Sequence, residues 1–117
     1  MKEEEVFHKI VEFLRKNGYK IVENNTGRQR GADIVAEKSG RERVIEVKGD
    51  TKALDVNLGT AIWQLLRYMK DDSKDLALAL TPSYKQYVKA VEYPLKKLNV
   101  KVFLVSRGKS TVVSPIK

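Results

Sequence analysis

The sequence contains no cysteine. That absence removes disulfide scaffolds, iron–sulfur clusters and thiolate zinc sites together. It contains a single histidine, His8, so no catalytic site that needs two imidazoles can be built from it. No apolar run approaches the roughly 20 residues of a membrane span. The charged opening "MKEEE" is no signal peptide, so a cytoplasmic protein with no membrane partner is expected. No repeat, low-complexity tract or linker divides the 117 residues, which predicts one domain over 1–117. A chain of this size buries roughly two-thirds of its unfolded surface and needs no metal or disulfide to fold. Acidic residues are the scarcer charge, with 15 Asp plus Glu against 23 Lys plus Arg and a net charge of +8. Such a surplus points to a polyanionic partner, with nucleic acid ahead of anionic membrane. Solubility alone is the plainer explanation. The Lys/Glu-rich, cysteine-free composition also fits a thermophile.

Apolar periodicity organises the chain. In residues 3–16, Val6, Phe7, Ile10, Val11, Phe13 and Leu14 form one helical stripe, ended by Asn17 and Gly18. "YKIVE" (19–23) reads as a short strand, and "NNTGRQRGA" (24–32) as a loop with two arginines. "DIVAEK" (33–38), the turn "SGRE" and "RVIEVK" read as a hairpin. After a loop at 49–54, Asp55 is the expected N-cap of a helix over 56–70. "DLALAL" (75–80) is apolar throughout, as a strand covered on both faces should be. A helix opens at Pro82–Ser83 and is kinked or split by Pro94. "VKVFLV" (100–105) is a further central strand, and "TVVSPI" a candidate edge strand. The order predicts an α/β fold with a mixed central sheet flanked by helices, its two late strands parallel through a right-handed crossover.

Within "RVIEVK", Glu46 and Lys48 lie two apart and therefore point to one face. The start of one hairpin strand lies opposite the end of the other, so Asp33 can approach Glu46 across the ladder. Two close carboxylates repel unless a proton or a cation sits between them. Hard divalent cations such as Mg²⁺ are held by one or two carboxylates plus waters and phosphate oxygens. A neighbouring lysine can orient the attacking water or stabilise charge on a scissile phosphate. The set suits hydrolysis of a phosphodiester.

At these residues the sequence resembles a known family. "GADIVAEKSGRERVIEVKGD" is similar to the signature of the PD-(D/E)xK nuclease superfamily, with Asp33 as its acidic residue and Glu46-Val47-Lys48 as its ExK element. The resemblance implies a restriction-endonuclease-like αβββαβαβ core over nearly the whole chain. Gly-x-Asp and the Arg-rich loop before it look most like archaeal Holliday-junction resolvases and their small relatives. The family's loosely kept proline before the aspartate is Ala32 here. On this resemblance the chain is a Mg²⁺- or Mn²⁺-dependent DNA endonuclease, with DNA repair as its setting. Asp33, Glu46 and the Val47 carbonyl hold the metal, and Lys48 positions the water. Resolvase-type relatives act as dimers, so a homodimer is expected, with Trp63 and the terminal strand as candidate surfaces.

Other positions admit two readings. Gln64 and Tyr68 resemble the QxxxY element of exonuclease-like branches and could face the cleft, or Tyr68 is an amphipathic core-edge residue. Glu3 shares the apolar stripe of its helix and could be a third carboxylate, since many relatives use a glutamate there. The preference of acids for a first helical turn explains "EEE" without catalysis, and Glu5 and Glu12 should meet solvent. Arg28 and Arg30 suit phosphates, with Lys52 beyond the motif doing likewise, or they belong to a solvated loop. His8 is expected on the surface. For the chain as a whole, the alternatives are a non-cleaving nucleic-acid-binding module on the same fold, and a surface ion network of Asp33, Glu46 and Lys48 on an edge hairpin.

Overall fold

The computed structural model describes residues 1–24, 33–107 and 112–115, with 23–24 and 112–115 through their backbone. The apolar stripe near the start forms α1 (Glu3–Lys16), which buries Val6, Phe7, Ile10, Val11 and Leu14. Gly18, at φ 85°, ends it. The Gly18 and Tyr19 amides turn back to the Arg15 and Leu14 carbonyls at 3.1 and 2.9 Å, a Schellman closure that only a residue tolerant of positive φ permits.

Three strands follow: β1 (Lys20–Asn24), β2 (Ile34–Lys38) and β3 (Arg41–Lys48). Only Ser39 and Gly40 separate β2 from β3, at φ 55° and 78°, so the hairpin turns through two residues rather than the expected four. Both positive φ values match the twist of the flanking strands, which is why such short turns work. Next come α2 (Leu54–Leu66), β4 (Lys74–Leu80), a 3₁₀ turn (Pro82–Tyr84), α3 (Lys85–Ala90), α4 (Glu92–Lys97), β5 (Val100–Ser106) and β6 (Val112–Pro115). The helix after β4 is split, as expected, with the break at Val91. Pro94 has no N–H to give the Ala90 carbonyl one turn back, so the helix restarts there instead of continuing.

The six strands lie side by side in chain order, antiparallel from β1 to β3, parallel from β3 to β5, and antiparallel again at β6. This is the expected mixed α/β sheet with helices on both faces. Ile34, Ala36, Ile45, Val47, Ala77, Ala79 and Phe103 meet α1 on one face. Val35, Val44, Leu76, Leu78 and Leu80 meet α2, Tyr84, Val88 and Leu95 on the other. Among the described residues no helix is long and apolar enough to cross a membrane.

α2 departs from expectation at both ends. It begins at Leu54 and stops at Leu66, so Tyr68 lies in the turn beyond it. Ala53 occupies the N-cap without a side-chain bond, and Asp55 sits inside the first turn, where its carboxylate accepts the Val56 N–H at 2.9 Å.

Candidate active site at the end of the third strand

The β2–β3 ladder closes with Ile34 opposite Ile45. One step further, Asp33 stands opposite Glu46. Asp33 is not part of β2. Its Oδ2 accepts the Val47 N–H at 2.8 Å, so a side chain takes the ladder bond that backbone makes elsewhere. This exchange draws the Asp33 carboxyl against that of Glu46. Glu46 is only 3% exposed. Burial first, then the hydrogen bond and charge of Asp33, push its carboxyl up to about 9, with Glu3 adding to the rise and Lys48 opposing it. Two acids this close disfavour a second negative charge, so the pair favours holding a proton between them. Glu46 is buried, whereas a surface ion network of the three residues needs it exposed.

Glu3 joins them from the other side of the sheet. It is open to solvent, yet burial raises its carboxyl, with Asp33 adding to the rise and the Lys48 charge opposing it. A glycine makes the approach possible. A Cβ on Gly49 would lie 2.2 Å from the Glu3 nitrogen and 2.6 Å from the Lys2 carbonyl carbon, distances no packed atom tolerates. The start of α1 thus lies directly on the backbone that follows Lys48. The Asp50 N–H donates to the Met1 carbonyl at 2.8 Å, and the Met1 amino group pairs with the Asp50 carboxylate. Asp50 also accepts from Thr81 Oγ1 at 2.7 Å and from Ser83 Oγ. The amino group first, then the Ser83 and Thr81 hydroxyls, lower its carboxyl to about 2. On the far side, buried Tyr84 donates its hydroxyl to the Gly49 carbonyl at 2.6 Å and accepts from Asn57 Nδ2 at 3.4 Å. Burial is the main cause that pushes the Tyr84 hydroxyl up.

The structure therefore brings Glu3, Asp33, Glu46 and Lys48 to one end of β3. Lys48 is half-buried and shares the face of Glu46, while Val47 is buried on the α1 side. α2 begins at this end, where Asn57 reaches Tyr84, and carries Gln64 away along its length. Gln64 is half-buried, and Tyr68 packs against the core that α2 shares with β4. Lys52 is exposed just past the site. Arg28 and Arg30 lie outside the described residues. Trp63 is 63% exposed, with the Arg67 guanidinium 5.0 Å from its ring. His8 is exposed as expected, whereas Glu5 accepts two hydrogen bonds from Arg107 at 3.0 Å instead of meeting only solvent. The supporting residues Gly49, Asp50, Asn57 and Tyr84 escaped the sequence reading. A glycine immediately after the lysine was the one signal available.

The chemistry of the donor set decides whether a divalent metal fits. Two carboxylates close enough to share a proton present the excess negative charge that a hard cation relieves. Among the described residues, no three acidic or histidine side chains form a ready cage. An ion here would therefore complete its shell with water, backbone or phosphate oxygens, as Mg²⁺ sites commonly do.

Fold and site together define a class: a mixed α/β domain with a proton-sharing carboxylate pair and a lysine at the end of its central strand. The chain belongs to the family described as "Protein NO VEIN, C-terminal", whose model matches residues 2–73. That stretch runs from α1 through α2 and contains the whole acidic cluster. Among solved structures, the chain is similar to an XisH family protein from Nostoc punctiforme, with 23% identity and a TM-score of 0.63 over 96% of this chain and 99% of that one. It is similar also to an fdxN element excision controlling factor protein from Anabaena variabilis, at 24% identity and a TM-score of 0.62 over 97% and 99% of the two chains. These likenesses show a shared fold. Comparison with curated proteins gives no match.

Proposed function

We propose that this chain is a divalent-metal-dependent nuclease of the PD-(D/E)xK type that hydrolyses phosphodiester bonds in DNA. The observation that carries the reading is the convergence of Asp33, whose carboxyl accepts the Val47 N–H, on buried Glu46, with Lys48 on the same face of β3. Asp33 and Glu46 would hold Mg²⁺ or Mn²⁺, with the Val47 carbonyl as a further donor. Such an ion supplies an acidified water and neutralises charge at the phosphorus. Lys48 orients the attacking water and offsets charge on the non-bridging oxygens. The Val47 N–H bonds to Asp33 Oδ2 at 2.8 Å and so orients that carboxyl for its role. Glu46 must give up its shared proton before it can act as a ligand. Glu3 adds a third acid at the rim of the site.

The net charge of +8 supports a polyanionic substrate. The description of one fold relative as an element excision controlling factor agrees with DNA. Selection of DNA shape, such as a junction or branch, rather than of sequence is the preference to test. The test is a panel of branched, duplex and single-stranded DNA with Mg²⁺ or Mn²⁺. Cleavage that needs the metal and is lost in Asp33→Ala and Lys48→Ala is expected. Robust cleavage in EDTA, or unchanged cleavage in both variants, refutes the mechanism. Binding without cleavage across the whole panel would favour a non-cleaving DNA-binding module.

A further inference from the structure

Beyond the acidic cluster, the turn after β4 opens a shallow groove of about 420 Å³ lined by Pro82, Ser83, Lys85, Gln86 and Lys89. Two observations tie it to the site. Ser83 bonds to Asp50, two residues beyond Lys48, so the groove begins where the site ends. Lys85 and Lys89 are one turn apart on α3, both exposed, and neither forms an ion pair among the described residues. Nearby acids are already engaged. Asp50 is held by the Met1 amino group, Thr81 and Ser83. Lys89 lies near enough to Glu92 to help lower its carboxyl, but that carboxylate is bound by Lys96 at 2.8 Å. Lys52, also exposed, follows Asp50 in the chain. The result is a positive flank beside an acidic centre, with a neutral hydrogen-bonding amide, Gln86, between the two lysines of α3.

We propose that this groove holds the phosphate backbone of the nucleic-acid strand that passes the acidic site, with Lys85 and Lys89 as its phosphate contacts. The proposal rests on the nuclease reading only for the choice of DNA as the polyanion. Lysine contacts to phosphate position a duplex or strand without reading its sequence. Such contacts carry a salt signature, because each neutralised phosphate releases condensed counterions. A negative centre flanked by positive charge also explains how an acidic site can receive a polyanion: affinity comes from the flank, and chemistry from the centre.

The experiment measures binding of labelled duplex, branched and single-stranded DNA by fluorescence anisotropy in EDTA, so that cleavage plays no part. The double variant Lys85→Ala/Lys89→Ala is compared with Lys70→Ala/Lys101→Ala, whose lysines lie toward the opposite ends of the parallel strands. The groove variant should bind roughly tenfold more weakly at moderate salt, and its slope of log affinity against log salt should fall by about 1.8 for duplex DNA, at about 0.9 per contact. The distal variant should match the wild type. Unchanged affinity in the groove variant, equal loss in both variants, or no DNA binding by the wild type overturns the proposal. Cleavage with unaltered affinity in the groove variant would remove the groove and leave the nuclease reading. Lysine-dependent binding without cleavage would do the reverse.

Discussion

Glu46→Gln replaces a buried acid beside Asp33 by a neutral isostere that can still donate to it. The ordinary value of a glutamate carboxyl is 4.5, and burial beside Asp33 pushes that of Glu46 up to about 9 in the fold. A raised folded value means that the stability it contributes is fully present below 4.5 and is lost as pH climbs toward 9. Across that window the folded state keeps a proton that the unfolded chain has shed. Each pH unit costs about 1.4 kcal/mol. At pH 7, two and a half units above 4.5, the wild type is therefore penalised by about 3 kcal/mol, and the glutamine variant is not. In a domain of this size, a gain of that order raises Tm by about 10 °C. At pH 4 both proteins carry a neutral side chain at position 46 and should be nearly equal. Urea denaturation followed by circular dichroism at pH 4, 5.5, 7 and 8.5 checks the slope as well as the sign. A glutamine variant less stable than wild type at pH 7, or a stability difference independent of pH, would refute the picture of a shared proton. The stabilised variant should also lose Mn²⁺ binding by calorimetric titration, since an acid kept for function at a cost in stability is a common trade.

Further outcomes follow from the supporting residues. Gly49→Ala drives a methyl into the Glu3 and Lys2 backbone, so thermal unfolding should show a loss of about 1–3 kcal/mol, and DNA cleavage should fall because Glu3 is displaced. Tyr84→Phe deletes the 2.6 Å bond to the Gly49 carbonyl and strands a buried acceptor. Its cost should be about 1–3 kcal/mol in urea denaturation, with metal affinity little changed because Tyr84 touches no carboxylate of the cluster.

What could be read ahead of the structure followed from periodicity. The strand period places Glu46 and Lys48 together, and hairpin register brings Asp33 to their end of the ladder, as found. The form of that meeting was not legible. A strand that stops at Ile34 so that the Asp33 side chain can take the Val47 amide depends on how the ladder closes, and local composition does not encode it. Glu3 illustrates a similar gap. Its helical stripe was readable, but its distance from Lys48 is set by the docking of α1 on Gly49, a tertiary contact. The expected α2 runs past the observed end because Tyr68 and Met69 continue its apolar spacing after the backbone has turned at Leu66. Tertiary packing decides such ends, and propensity alone does not.

The contact between Gly49 and the first turn of α1 has a consequence for folding order. It closes a loop of nearly fifty residues, since the Met1–Asp50 bond spans 49 positions. Loop-closure entropy places such contacts late, after the β2–β3 hairpin has formed from neighbours in sequence. Loop-closure entropy thus favours assembly of the acidic cluster in two stages, first as the Asp33–Glu46 pair on the hairpin and later with Glu3. Fraying of one helical turn would undo the second stage while leaving the first in place. Amide exchange at Glu5 and Val6, whose N–H groups bond to the Lys2 carbonyl in that turn, would report how often the site stands open in the folded protein.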